Sequence, residues 1–266
     1  MSHPTAQPPV LVTDHGAVRT VTLNRPTAFN SFDLALKGAL LAALDAAADP
    51  SVRAVVITGA GRAFCAGQDL KEHLALVAAD DERVGTTVSG FYNPLVRAVL
   101  GLRKPVIAAV NGPAAGAGAA LALACDLRVA ATAATFSMAF AGVGLSADTG
   151  ASYLLSRYVG YGRASAMMLL GEKVDATEAL RIGLIDQLVD DAALAGTVQA
   201  LAERLAAGPT QAYGWIKASL QHGATADLGS TLEFEDRAQA ACFASDDHRE
   251  AVAAFVQKRP PRFTGR

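Results

Sequence analysis

Two largely apolar runs, Val52–Thr58 and Pro105–Val110, each end in a loop of small residues that opens a helical pattern. A run without polar alternation reads as a strand covered on both faces. Such strands restrict the chain to a sheet with helices packed over it. Around them, 10–13 and 17–23 alternate about His15-Gly16 and predict a β-hairpin closed by Asn24-Arg25-Pro26. Asp33 opens a helical pattern through Leu34, Leu40, Leu41 and Leu44 that stops at Asp49-Pro50, and 86–102 reads as a long helix. Helical 118–124 and a short strand at Leu127–Ala130 follow. This order of strand and helix predicts an α/β fold with parallel pairing.

After Gly150 the periodicity is helical: 150–158, 162–170, 176–182, 191–206, 209–221, 228–243 and 247–257, with one short strand near 185–189. The expected organisation is an α/β core over residues 1–200 and a helical C-terminal region over 201–266. The chain is 52% hydrophobic and 18% charged over 266 residues, with a net charge of −2. That excludes extensive disorder and a global basic field for nucleic acid. The apolar faces of 191–206 and 228–243 are expected to pack between subunits. Pro4, Pro8 and Pro9 read as a frayed tail rather than a signal peptide. The apolar stretch 105–124 is broken by Asn111-Gly112-Pro113, too early to span a bilayer. Cys65, Cys125 and Cys242 cannot all pair, which fits a reducing compartment and a cytoplasmic protein. No cysteine or histidine has metal-site spacing.

The two loops carry the chemistry. They are Ala63-Phe64-Cys65-Ala66-Gly67-Gln68-Asp69-Leu70 and Asn111-Gly112-Pro113-Ala114-Ala115-Gly116-Ala117-Gly118-Ala119. Small side chains admit a ligand to the backbone, and amides at a helix start lack internal partners. Two such loops side by side could aim two N–H groups at one oxygen, forming an oxyanion hole. Tight packing of a helix on a sheet is the plainer reading of either loop alone. A nucleotide site is a weak rival. Leu121 stands where a dinucleotide fingerprint needs its third small residue, and no acidic residue closes Leu127–Ala130.

Ala66-Gly67-Gln68-Asp69-Leu70, Lys104-Pro105-Val106-Ile107-Ala108-Ala109-Val110-Asn111-Gly112, Ala115-Gly116-Ala117-Gly118 and Cys125-Asp126 closely resemble the enoyl-CoA hydratase/isomerase (crotonase) superfamily. The resemblance runs from Asn24-Arg25-Pro26 to Phe255-Val256-Gln257-Lys258-Arg259. It implies a crotonase spiral of ββα units with a helical C-terminal trimerisation region, and a homotrimer or hexamer. It implies oxyanion-hole amides at Gln68 and Ala117. It places coenzyme A along Ala63, Cys65, Ala66, Gln68, Asp69 and Leu70, with Gly116 and Phe140 on the substrate. Arg25, Lys258 and Phe263 are candidates for the nucleotide end, and the tail residues could serve a neighbouring subunit. No metal or separate cofactor is implied, since coenzyme A enters as part of the thioester substrate.

The departures from that pattern narrow the expected reaction. The positions of the two hydratase glutamates hold Ala120 and Phe140. Water addition needs one group to deprotonate water and another to protonate carbon, so hydratase activity is disfavoured. Asp148, within Gly144-Leu145-Ser146-Ala147-Asp148-Thr149-Gly150, resembles the aspartate of the branch that contains ring 1,2-epoxyphenylacetyl-CoA and Δ3,Δ2-enoyl-CoA isomerases. Ala147 stands where proline is usual there, and Ala151 where a second glycine is. The resemblance implies an isomerase using Asp148 as a single acid–base in an apolar pocket to which Phe140 and Leu145 contribute. The alternatives are a divergent hydratase, hydrolase or lyase, and an acyl-CoA-binding protein without catalysis. Asp148 also reads as an N-cap of the following helix, Asp69 as a cap at Leu70, and Asp126 as a turn residue. Glu72 and Asp80-Asp81-Glu82 read as solvated faces, His73 as a surface histidine and Cys65 as packing. Tyr153 and Tyr158 read equally as pocket or core.

Overall fold

The hairpin comes first, β1 (Val10–His15) paired antiparallel with β2 (Val18–Leu23), in a computed structural model that describes residues 7–266. Of the predicted tail, Pro4 lies outside the described residues. Asp33 caps α1 (Leu34–Ala46) by accepting from the Leu36 amide. The first apolar run forms β3 (Ala54–Gly59), which pairs parallel with β2. After the first loop come α2 (Leu70–Ala78), α3 (Arg83–Thr87) and α4 (Asn93–Gly101).

The single helix expected at 86–102 is interrupted by a π-turn over Val88–Tyr92. Pro94 has no N–H to donate, and the Asn93 amide reaches back five residues to the Val88 carbonyl. The second run forms β4 (Val106–Val110), followed by β5 (Ala114–Ala115), α5 (Ala117–Ala124), β6 (Leu127–Ala131) and β7 (Thr135–Ser137). Then come α6 (Ala151–Val159), α7 (Tyr161–Leu170), β8 (Val174–Asp175), α8 (Ala176–Arg181) and β9 (Gln187–Val189). The chain ends in α9 (Leu194–Ala206), α10 (Thr210–Gly223), α11 (Leu228–Phe243) and α12 (Asp246–Val256).

The main sheet has the order β1-β2-β3-β4-β6-β9, parallel from β2 onward. A second layer is assembled from very short pieces. Phe32 bridges Gln68, Cys65 bridges Ala114, β5 pairs parallel with β7, and β7 pairs antiparallel with β8. Each turn of the chain thus contributes a long strand to one layer, a short extended piece to the other, and then a helix. Pieces of one to three residues are too short to alternate, so the sequence pattern does not reveal them.

The larger core lies between the sheet and α1, α4 and α5, around Leu36, Leu40, Phe64, Leu121 and Phe136. α5 is buried on every side, which its run of alanine and leucine permits. The smaller core lies under α9, whose Leu194, Val198, Ala202 and Ala206 cover Val56, Ile107 and Val129. The apolar face of 191–206, expected between subunits, is therefore used within the chain. α10 to α12 expose much apolar surface, including Leu220, Leu228, Phe255 and Val256.

Candidate active site

The loops after β3 and β4 are built against each other. Cys65 and Ala114 bridge, the Ala115 amide donates to the Cys65 carbonyl at 2.9 Å, and the Cys65 amide to the Pro113 carbonyl at 3.2 Å. A Cβ at Gly118 would lie 2.2 Å from the Cys65 oxygen, so only glycine lets α5 start this close to the first loop. Asn30 and Asn111 pin the underlying turn, each donating Nδ2 to the Ala63 carbonyl, at 2.8 and 3.2 Å. The turn's carbonyls are thereby satisfied away from solvent.

This arrangement leaves two amides free. The Phe32 amide donates to the Gly67 carbonyl and the Asp69 amide to the Phe32 carbonyl. These bonds straddle Gln68, whose own N–H donates to no backbone acceptor among the described residues. Ala117 is the first residue of α5, so its N–H has no helical acceptor. The preceding Gly116, at φ 50° and ψ −123°, offers no capping side chain. A Cβ at Gly67, the residue before Gln68, would sit 3.5 Å from the Ala117 nitrogen, so the two loops approach closely where these amides lie. Two donors without a protein acceptor on adjacent loops are groups that a developing oxyanion could use.

Asp148 lies in the extended segment before α6. It does not cap that helix. Gly150 occupies the cap position in a left-handed conformation, and no side chain bonds the first turn. The Asp148 carbonyl accepts from the Ala151 amide, while its carboxylate accepts from the Thr149 hydroxyl at 2.7 Å. Burial pushes the Asp148 carboxyl above its usual range, opposed by the Thr149 hydrogen bond and the charge of Lys37.

Lys37 was not singled out in the sequence. It projects from the buried stripe of α1 that includes Leu36, Leu40 and Leu44, and a lone lysine on such a stripe is the one signal that could have marked it. Its Nζ donates to Gln68 Oε1 at 2.7 Å and to Thr87 Oγ1 at 2.6 Å. The Tyr92 hydroxyl donates to the same Gln68 oxygen at 2.5 Å. Lys37 thus holds the Gln68 side chain directly and reaches Asp148 only through its charge.

Comparison with known proteins adds a family to this geometry. The family model described as enoyl-CoA hydratase/isomerase matches residues 13–266. The 1,2-epoxyphenylacetyl-CoA isomerase of Escherichia coli K12 is 45% identical over 250 residues, 94% of this chain and 95% of that one. The chain belongs to the enoyl-CoA hydratase/isomerase family. A probable enoyl-CoA hydratase of Rhodobacter capsulatus is 44% identical over 246 residues, covering 92% of this chain and 94% of its own. The solved enoyl-CoA hydratase of Bacillus anthracis superposes with a TM-score of 0.91 at 33% identity, covering 97% of this chain and 100% of that one. The two layers and C-terminal helices described above are therefore the crotonase fold.

Against the positions that this family suggests, the structure divides the candidates. On the two loops Ala66 and Leu70 are exposed, and Gln68 and Gly116 are partly exposed. Phe140 is nearly buried beside Gly116, with its Cε1 4.0 Å from where a Gly116 Cβ would stand. Leu145 is 53% exposed in this chain, and its amide donates to the Phe140 carbonyl at 3.0 Å. Ala120 is fully buried inside α5, and with Phe140 it leaves both family glutamate positions without a carboxylate.

Ala63 is buried, with its carbonyl held by the two asparagines. The Cys65 thiol is buried, lies 3.1 Å from the Asn30 carbonyl and is pushed up to about 12 by burial, so its side chain packs and does not react. Asp69 caps α2 through the Lys71 and Glu72 amides. Burial raises its carboxyl, but those amides and Arg25 outweigh that effect and hold it below the usual range. Arg25 is clamped between Asp33 at 2.9 Å and Asp69 at 3.0 Å, so its charge is already matched within the chain.

Phe263 is at the far end of the molecule. Its carbonyl accepts from Arg53, just before β3, whereas the first loop follows the other end of that strand, roughly 16 Å away. Lys258 is exposed beyond α12, and the chain itself does not bring either residue to the loops. Asp126 is more than a turn residue, since it accepts from Lys217 at 2.9 Å and from the Val106 amide at 2.8 Å. Tyr158 stacks on the buried Arg128, with the guanidinium carbon 4.1 Å from its ring centre, and so belongs to the core. Tyr153 is 40% exposed and carries Arg157 on its ring. Among the described residues no group of three or more His, Cys, Asp or Glu could hold a metal ion, and no helix is long and apolar enough to cross a membrane.

Proposed function

We propose that the protein is an enoyl-CoA isomerase that shifts a double bond in an acyl-CoA thioester through an enolate. The observation that carries this reading is a single carboxylate, Asp148, half-buried next to the Lys37–Gln68 network, with alanine and phenylalanine at both family glutamate positions. The thioester oxygen sits between the Gln68 and Ala117 amides. The Asp148 carboxylate takes a proton from the α carbon. The electron pair flows onto the thioester oxygen, where the two N–H groups stabilise the charge. The protonated Asp148 then returns the proton to the γ carbon, and a 3-enoyl thioester becomes a 2-enoyl thioester. One group serves because the proton it removes is the proton it delivers. A carboxyl raised by burial is matched to both tasks.

The reaction needs no cofactor beyond the coenzyme A of its substrate, and a cytoplasmic location is compatible with it. A relative named as an enoyl-CoA hydratase at 44% identity favours water addition as the second reading. Its difficulty is the missing second carboxylate. Incubating the protein with 3-enoyl- and 2-enoyl-CoA thioesters, with products resolved by mass spectrometry and NMR, decides between them. A product of unchanged mass with a moved double bond supports the isomerase. A gain of one water makes it a hydratase. Binding without turnover makes it a carrier.

A further inference from the structure

We propose that Lys37 is a positioning residue of this site: with Tyr92 it locks the Gln68 side chain beneath the oxyanion-binding amide and turns a positive charge toward Asp148. The proposal rests on the enolate chemistry put forward above. A lysine only 5% exposed is rare unless it is paired with a carboxylate. Among the described residues Lys37 has no carboxylate within ion-pairing distance. Its neighbours are the neutral oxygens of Gln68 and Thr87 and the rings of Phe91 and Tyr92, at 5.4 and 4.9 Å from Nζ. A hydrocarbon side chain would fill that space with less desolvation, so fold stability does not account for the ammonium.

The geometry at Gln68 is over-determined. Lysine can only donate. Burial pushes the Tyr92 phenol well up, so it stays protonated and also donates. Two donors on Oε1 fix which amide atom is oxygen and leave the side chain one orientation. The backbone N–H of the same residue is one of the two free donors on the loops.

The charges around Lys37 come from three segments: Glu72 on α2, Asp148 before α6 and Asp33 at the cap of α1. Burial lowers the Lys37 ammonium, and these carboxylates oppose the fall. Two of its three N–H groups are used, which leaves one for the site. An enolate forming between Gln68 and Ala117 meets this charge, as does the Asp148 carboxylate.

The test uses acetoacetyl-CoA, whose acidic α-CH2 ionises to an ultraviolet-absorbing enolate, titrated on the wild type and on Lys37→Met, Lys37→Arg and Tyr92→Phe. Lys37→Met is expected to raise the apparent pKa of the bound ligand by about one unit, a tenfold loss of ionisation. Tyr92→Phe is expected to lose about threefold, and Lys37→Arg to recover part of the loss. The acid limb of the isomerisation profile should also move to higher pH in Lys37→Met, because Asp148 loses the cation that favours its ionised form. A packing defect would instead lower the rate equally at every pH. Wild-type ionisation and an unmoved profile in Lys37→Met overturn the proposal while leaving the isomerase intact. If that variant does not fold, unchanged ionisation in Tyr92→Phe overturns it. A wild type that binds no thioester overturns the functional reading and this one with it.

Discussion

The Thr149 hydroxyl donates a 2.7 Å hydrogen bond to Oδ1 of Asp148 from a residue held at φ 53°. A β-branched residue in the left-handed region costs about 1–3 kcal/mol and persists where its surroundings over-determine it. Thr149 is fully buried, and its strained backbone is what turns the hydroxyl onto the carboxylate. The bond favours the ionised form that the proposed proton abstraction requires.

Thr149→Val keeps the shape and the strain and removes the hydroxyl. The Asp148 carboxyl, already held above its usual range by burial, should rise further. The base must be ionised to act, so activity should fall by about three- to tenfold on the acid side of the profile and approach the wild type on the alkaline side. A pH–rate profile checks this, and a uniform loss at all pH values would remove Thr149 from the acid–base apparatus.

Gly118→Ala should separate the two loops. The new Cβ meets the Cys65 carbonyl at 2.2 Å, and backbone cannot move aside as a flexible side chain can. The expected loss of stability is about 1–3 kcal/mol, accompanied by weakened thioester binding because Ala117 begins the same helix. Thermal unfolding and calorimetric titration with an acyl-CoA measure both. Wild-type binding in a stable Gly118→Ala protein would show that binding does not depend on this close approach.

How far the sequence could be read follows from which residues cooperate. The hairpin, β3, β4 and the C-terminal helices are each written in one stretch of periodicity, and all are present. Phe32 with Gln68, and Cys65 with Ala114, are single-residue bridges between distant segments, so no local pattern announces them. Spacing alone reads Asp148 as a helix cap. The structure starts α6 at Ala151 and gives the cap position to a left-handed Gly150, which releases the carboxylate. The two loops were legible because small residues and strand ends are local signals. Lys37 was not, because its partners come from the first loop, α3 and the π-turn.

Leu220, Leu228, Phe255 and Val256 are 72%, 73%, 85% and 74% exposed on α10, α11 and α12. A subunit contact over these helices would remove such side chains from water. The expectation is a homotrimer or a multiple of it, in which a neighbour's tail could bring Lys258 and Phe263 to a site that their own chain does not supply. Light scattering at micromolar concentration should give such a mass. A monomer there, with full activity, would exclude both the assembly and a shared site.

Lys217 and Asp126 join α10 to the start of β6, with Nζ also donating to the Val99 carbonyl at 3.0 Å. Lys217→Met should destabilise the protein by about 2 kcal/mol. That is less than a fully buried pair would lose, because Asp126 retains some solvent. Chemical denaturation measures it. The oxyanion loops lie apart from this pair, so thioester binding should survive in the folded variant.

Asp148→Asn is the decisive substitution. Asparagine keeps the size of the side chain and can still accept from the Thr149 hydroxyl, but it cannot take a proton at neutral pH. Isomerisation is expected to fall by about 10²- to 10⁴-fold. Thioester binding should be nearly unchanged, because the Gln68 and Ala117 amides are untouched. The effect on stability has a definite sign. Asp148 titrates higher in the folded chain than in the unfolded one. Its contribution is therefore fully present below the ordinary carboxylate range and is lost as pH rises through the raised value. At neutral pH the ionised, half-buried group is a burden on the fold, so Asp148→Asn should melt at the same temperature or higher at pH 8. At pH 4 any advantage should shrink. If Asp148 supported the fold as a cap, asparagine would cap about as well and activity would survive. Loss of turnover with binding and stability intact assigns the proton transfer to Asp148. Full turnover in the variant would take the reaction away from this carboxylate and leave an acyl-CoA-binding crotonase fold whose base lies elsewhere.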